Sequence, residues 1–152
     1  MSVPFLACMA AVASFYNLPP RVLPSIQVVE GGQIGAISRN ANGTEDLGLM
    51  QVNTIWIAPI SRHTRLSEED VRGRLINDGC FNIAAAGAIM RTYLNEANGD
   101  LMLAIGYYHS HTPTRNQAYQ AKVLASATRL FVARGNTPAA RAPVTPPSGA
   151  AR

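Results

Sequence analysis

Apolar residues fall in blocks along the chain, separated by clusters of Pro, Gly and Asn, and the blocks have helical length and period. Pro4 to Tyr16 is apolar and alanine-rich, with Pro4 suited to a helix's first turn, and predicts a first core helix. Asn17-Leu18-Pro19-Pro20 is a break, after which Pro20 can open a second helix running to Glu30. Pro24 sits awkwardly in it, where a backbone donor is expected. Phe81 to Ala97 is apolar on all sides, and the small residues Ala84 to Ala88 offer close contact surfaces, which predicts a buried central helix. Asn98-Gly99-Asp100 ends that helix and caps the next, Leu101 to His109, and Arg115 to Arg134 completes the helical set. Between these blocks, Gln33 to Asp46 loses the helical period. Ser38 to Thr44 is rich in turn formers, and Asn42-Gly43 is a hairpin turn signal, so the only strands of the fold are expected here. Thr54 can cap a short helix carrying Trp56, and Ser67 with Asp70 makes a capping-box-like start for Glu68 to Asn77. The acidic run Glu68, Glu69, Asp70 is then explained by cap and dipole chemistry. Beyond Gly135 there is no periodicity and proline recurs, which predicts a domain over 1–134 and a disordered Pro/Ala-rich tail over 135–152.

At 152 residues, with 47% hydrophobic and 14% charged residues, the chain has the length and apolar content for one domain with its own core. No apolar run reaches the ~20 residues that a membrane span requires. The net charge of +4 is concentrated at the end of the chain, at Arg134, Arg141 and Arg152; up to Ala133, 10 basic residues face 9 acidic ones. A near-neutral domain argues against nucleic-acid binding through a basic face. An anionic polymer would be attracted mainly by the tail, which is expected to contribute to contact with such a polymer or with a partner protein. The stretch Pro4 to Tyr16 lacks the basic start of a signal peptide, since no Lys or Arg precedes Arg21, so no export signal is expected within these residues. Cys8 and Cys80 fit one structural disulfide, which implies an oxidising compartment, with two buried thiols as the alternative. Neither lies near the His or Cys spacing that a metal site needs, and no metal or cofactor is implied.

The chemistry is expected between Gln27 and Asn53, where the lone acid Glu30 ends an apolar run and a glycine-rich loop follows. With Ile26, Val28 and Val29 around it, a carboxylate at the end of a buried helix is held in its protonated form. A carboxylic acid with a raised pKa can donate a proton to a leaving oxygen, as cleavage of a glycosidic bond requires. Gly31 and Gly32 release the helix and leave room for a bulky substrate. The alternative is an ordinary helix-end Glu at the surface. Glycoside cleavage ordinarily uses two carboxylates. Glu45 and Asp46 are the only other acids near in sequence, and Asp46 reads better as a support for the loop than as a nucleophile, so a single-acid route fits the chain better.

Gly48 to Asn53 (GLMQVN) after Glu-Gly-Gly, Cys80 to Met90 (CFNIAAAGAIM), Ile105 to Ser110 (IGYYHS) and Pro113 to Leu124 (PTRNQAYQAKVL) occur in an order that resembles the soluble lytic transglycosylases of lysozyme-like fold. The YYHS variant and the early cysteine are most similar to the small transglycosylases that accompany secretion and pilus systems. The resemblance spans Cys8 to about Leu130. It implies a mainly α, α+β lysozyme-like fold, helical with a small β-hairpin lobe beside the active-site groove. It also implies a monomeric, periplasmic enzyme that acts on peptidoglycan glycan strands, and pairing of Cys8 with Cys80. Glu30 would be the catalytic acid and base, and Met50, Gln51, Asn53, Tyr108 and Tyr119 would line the groove or bind sugar. The product implied is a 1,6-anhydromuramoyl end, formed without water. Three features depart from the family pattern: Gly31 stands where Ser is usual, His109-Ser110 replace the Asn-Ala that commonly follows Tyr, and Gln117 and Ala118 are two extra residues before Tyr119. A lysozyme-type hydrolase and a non-catalytic wall-binding component are the competing readings. His109 and His111 are read as loop or groove residues.

Overall fold

The computed structural model describes residues 2–132. The predicted tail and the boundary at 134 lie outside them. Two helices, α1 (Leu6–Phe15) and α2 (Val22–Glu30), precede a three-stranded sheet of β1 (Ile37–Arg39), β2 (Glu45–Leu47) and β3 (Val52–Asn53). Then come α3 (Ile57–Thr64), α4 (Glu68–Asn77), α5 (Gly79–Glu96), α6 (Leu101–His109) and α7 (Pro113–Ala127), the last followed by a π-helical turn, Thr128–Val132. This is the mainly α, lysozyme-like arrangement, with a small sheet at one side of the helices.

The sequence pattern accounts for most of these elements. Helix α5 packs against α1, α4 and α6, as its apolar circumference and run of small residues require. Ser67 accepts a hydrogen bond from the Asp70 N–H at 3.1 Å, Asp100 caps α6 through the Leu103 N–H, and Asp78 caps α5 through the Phe81 N–H. Cys8 and Cys80 are bonded, fastening α1 to the start of α5 with Cα atoms 5.6 Å apart. The bond closes a loop of 72 residues.

Four boundaries differ from expectation, among them that of α7, which begins at Pro113 rather than Arg115 and ends as an α-helix at Ala127. Helix α2 begins at Val22 rather than Pro20. Pro24 is therefore its third residue, within the first turn, where N–H groups have no intrahelical partner and a proline costs nothing. Helix α5 begins at Gly79, two residues before Phe81. The cap after the sheet is Asn53, which accepts from the Ile55 N–H at 3.0 Å. Thr54 instead accepts from the Glu45 N–H through Oγ1 at 3.1 Å and so ties β2 to the short 3-10 turn Thr54–Trp56.

The strands also extend beyond the predicted stretch. Strands β1 and β2 pair antiparallel with Ile37 opposite Leu47 and Arg39 opposite Glu45, around a five-residue loop in which Asn40 and Thr44 are bonded backbone to backbone. Strand β3 lies inside GLMQVN, with Asp46 opposite Asn53 and Leu47 opposite Val52. Two residues of strand give too short an alternation for period-2 patterning to reveal.

The loop joining β2 to β3 is held by a buried amide. Asn82 of α5, with 0% exposure, donates to the Leu47 carbonyl at 2.8 Å and the Leu75 carbonyl at 2.7 Å, and accepts from the Met50 N–H at 2.8 Å. One side chain thereby satisfies backbone groups of the sheet, the loop and the end of α4. Around it lie Leu47, Met50, Leu75 and Ile83, all fully buried.

Replacing Asn82 by Leu supplies an apolar side chain of similar size but strands one N–H and two carbonyls in the core. At roughly 1–3 kcal/mol for each buried polar group left unpaired, the variant is expected to lose about 3 kcal/mol or more in urea unfolding monitored by circular dichroism. A loss under about 1 kcal/mol would mean that the loop relaxes freely and that the amide does not hold the lobe in place.

Candidate active site

Glu30 is the last residue of α2, and the chain turns away from it at once. Gly31 adopts φ 64°, the left-handed conformation in which glycine is unstrained, and its N–H closes the helix on the Gln27 carbonyl at 2.8 Å. Gly32 serves packing: a Cβ there would collide with the carbonyls of Gly48 and Leu49. The glycine pair therefore lets the end of α2 lie directly on the GLMQ backbone, a tighter reason for glycine than room for substrate.

Helix α2 packs on α7, where Ser126 donates to the Ser25 carbonyl at 3.1 Å in the buried contact. That packing brings Tyr119 of α7, 4% exposed, to the acid, and its hydroxyl donates to Glu30 Oε1 at 2.6 Å. Burial pushes the Glu30 carboxyl up from its ordinary 4.5 to about 7; the Tyr119 hydrogen bond pulls against this, the charge of Asp46 adds to it, and Lys122 opposes it. Desolvation wins because the acid closes an apolar helix and only one strong donor reaches it. Tyr119 is in turn raised, first by its own burial and then by the neighbouring Glu30. Near neutral pH, Glu30 can both give and take a proton.

Glu30 opens into a groove of about 500 Å³. Strands and loops of the β lobe supply Asn40, Asp46, Gln51 and Asn53; α6 and the following loop supply Tyr107, Tyr108, His109 and His111; Trp56, Tyr93 and Arg115 complete the walls. Tyr93 contacts Trp56 edge-on at 5.7 Å, and His111 stacks on Tyr107 at 4.1 Å and pairs with Glu96 at 2.7 Å, so one wall is largely aromatic. Amides, phenols and aromatic faces together suit a polyhydroxylated ligand with apolar ring faces.

Of the residues read from the sequence, Glu30, Gln51, Asn53 and Tyr108 line this groove, and Tyr119 lies behind it on the acid. Met50 departs from its expected place: its side chain is fully buried in the core, where Asn82 holds its N–H, and it meets the groove side only through its carbonyl, which accepts the Tyr108 hydroxyl at 2.8 Å. Asn53 is less free to meet a ligand than its exposure suggests. Its Nδ2 donates to Asp46 Oδ1 at 2.9 Å and to Thr44 Oγ1 at 3.0 Å, while Asn40 donates to Asp46 Oδ2 at 3.1 Å. Asp46 is thus an oriented carboxylate in the same groove as Glu30, held by two amides; sequence adjacency to Glu45 hid this, and strand alternation puts Asp46 on the groove side. Asn82 was visible only as a polar residue in the apolar first half of α5. Among the described residues, no group of three or more His, Cys, Asp or Glu is placed to hold a metal ion, and no helix is long and apolar enough to cross a membrane.

The family model described as Transglycosylase SLT domain matches residues 7–129. A search of curated proteins returns no match.

Because the folded state raises the pKa of Glu30, protonation of Glu30 stabilises the fold. That contribution is complete below about pH 4.5 and is lost as pH rises through about 7. Glu30→Gln removes the ionisable group, so its melting temperature should exceed that of the wild type at pH 8 by a few degrees, at roughly 4 °C per kcal/mol for this size, with the difference closing by pH 4. Thermal melts of the two proteins side by side check this, since all other titrations cancel in the comparison. Equal melting temperatures at pH 8 would mean that Glu30 is not desolvated.

Proposed function

The chain belongs to the transglycosylase SLT domain family, whose members are lytic transglycosylases acting on peptidoglycan, and from that premise we propose that Glu30 cleaves the β-1,4 bond between N-acetylmuramic acid and N-acetylglucosamine and leaves a 1,6-anhydromuramoyl end. The observation that carries the proposal is a carboxyl at the end of α2, hydrogen-bonded by Tyr119 on one oxygen, open to the groove and raised by burial towards neutral pH.

The protonated Glu30 gives its proton to the glycosidic oxygen as the bond to C1 breaks. The N-acetyl carbonyl of the muramic residue supports the positive charge that develops at C1. The C6 hydroxyl oxygen then bonds to C1, and its proton returns to Glu30, which regains its starting state with no water consumed. Tyr119 favours the carboxylate between these steps by donating to Oε1. Gln51, Tyr108 and the aromatic wall of Trp56 and Tyr93 orient the sugar rings, and Asn53 acts by aiming Asp46. The bonded cysteines fit an oxidising compartment, and we place the enzyme in the periplasm, opening the wall locally for a secretion or pilus system.

A second reading rests on Asp46. A second oriented carboxylate in the groove is what a lysozyme-type hydrolase uses as nucleophile or charge stabiliser. Mass spectrometry of digested sacculi decides between the two. The transglycosylase yields anhydromuropeptides and no reducing muramic ends, and Glu30→Gln lowers the yield by at least about a thousandfold while leaving the fold intact. Reducing ends as the main product would assign the hydrolase. Bound sacculi with no release by the wild type would assign a non-catalytic wall-binding component.

A further inference from the structure

His109 is the last residue of α6, and its imidazole lies flat on the Tyr119 ring, with centroids 4.9 Å apart and planes 8° from parallel. Tyr119 is the residue whose hydroxyl meets Glu30. The two helices that carry the stack are clamped to each other. A Cβ at Gly106 would overlap the Asn116 side chain, so α6 and α7 touch at that point, and the buried Asn116 donates from Nδ2 to the Ser110 carbonyl at 3.2 Å, fixing the turn just after His109. The imidazole is therefore placed by the backbone and not by chance contact.

We propose that His109 is a positioning residue: its ring braces the outer face of Tyr119 and keeps the Tyr119 hydroxyl on Glu30 Oε1 while the groove is empty and while it is filled. The inference rests on Glu30 being the acid. Tyr119 is packed in the core at 4% exposure, and a flat ring against its face, supplied by a clamped helix end, removes the ring freedom that this packing leaves before substrate arrives. Around the imidazole stand Tyr119, Lys122 and Arg115 from α7 and Asp46 from β2. Desolvation, Lys122 and Arg115 disfavour the imidazolium, and Asp46 opposes them more weakly, so the balance keeps the ring uncharged near neutral pH. A neutral ring is needed for this role, because an imidazolium on the tyrosine face would strengthen the hydroxyl as a donor and shift Glu30 towards its ionised form.

The test combines a carboxyl titration with kinetics. Glu30 is followed by carbon-13 NMR of side-chain carboxyls in the whole protein, assigned by its loss in Glu30→Gln, and kcat and KM are measured on soluble glycan fragments. Since the Tyr119 bond lowers the Glu30 pKa, His109→Ala should move the Glu30 midpoint upward and cut kcat by about tenfold with KM unchanged. His109→Phe, which keeps a flat ring, should restore both. The double variant His109→Ala/Tyr119→Phe should match Tyr119→Phe alone, because His109 acts through Tyr119. An unmoved midpoint in His109→Ala, a rise in KM with kcat intact, or losses that add in the double variant would overturn the proposal. If Glu30→Gln keeps its activity, the assignment of the acid fails instead, and the titration still decides whether His109 braces Tyr119.

Discussion

Asn82 holds the two halves of the groove at one distance from each other. Helix α2 ends at Glu30 and rests its Gly32 backbone on Gly48 and Leu49, while β2 and β3 carry Asp46 and Asn53 on the opposite side. Both halves meet at the Gly48–Gln51 turn, and the turn is fastened to the helical core by the three hydrogen bonds of one buried amide. A buried amide is costly unless every group on it is paired. Here it is paired wholly with backbone, so its cost is offset only when loop, strand and α4 stand in a single arrangement. The β lobe has little core of its own, its first strand being exposed throughout. Its position therefore depends on this connection, on the Thr54 hydroxyl under Glu45 and on the Arg72 to Glu45 ion pair at 2.9 Å.

With the frame set, the acid's behaviour follows from a competition of unequal terms. Burial disfavours the Glu30 carboxylate most; Asp46 across the groove adds to that; Tyr119 and Lys122 favour the carboxylate. Burial prevails against opposition, and the group comes to rest near neutral pH. A reaction in which one carboxyl must first give a proton and then take one back needs this balance, since a fully protonated group is a poor base and a fully ionised one no acid. Tyr119 therefore has a two-sided effect: by stabilising the carboxylate it makes Glu30 the stronger acid in the first step and the weaker base in the second.

Much of this was legible in the sequence where a feature is local or sustained. The helices show because apolar residues recur over many turns, and the caps at Ser67 and Asp100 because a side chain acts three residues from itself. Glu30 stands out as the one acid at the end of an apolar run, and the ordered motifs set the family. Contacts across the chain were less visible. Met50 looked like a groove residue within GLMQVN, yet the turn that exposes Gln51 drives Met50 into the core. Asp46 does tie the loop, through Asn40 and Asn53, and what the sequence did not show is that pairing of β2 with β3 also brings it into the groove. Strand β3 is too short to pattern. The roles of Asn82 and His109 come from partners 7, 32 and 35 residues away for Asn82 and from a neighbouring helix for His109. Neither distance nor ring orientation is encoded in spacing along the chain.

The central claim is that the fold holds Glu30 as an acid at neutral pH, and the pH dependence of kcat/KM on a soluble glycan fragment tests it most directly, because that ratio reports the protonation state required of the free enzyme. The rate should be sustained on the acid side and fall as pH rises through about 7, the value to which burial raises Glu30. A basic limb near the ordinary carboxyl value of 4.5, or a rate that stays level well above neutrality, would contradict it.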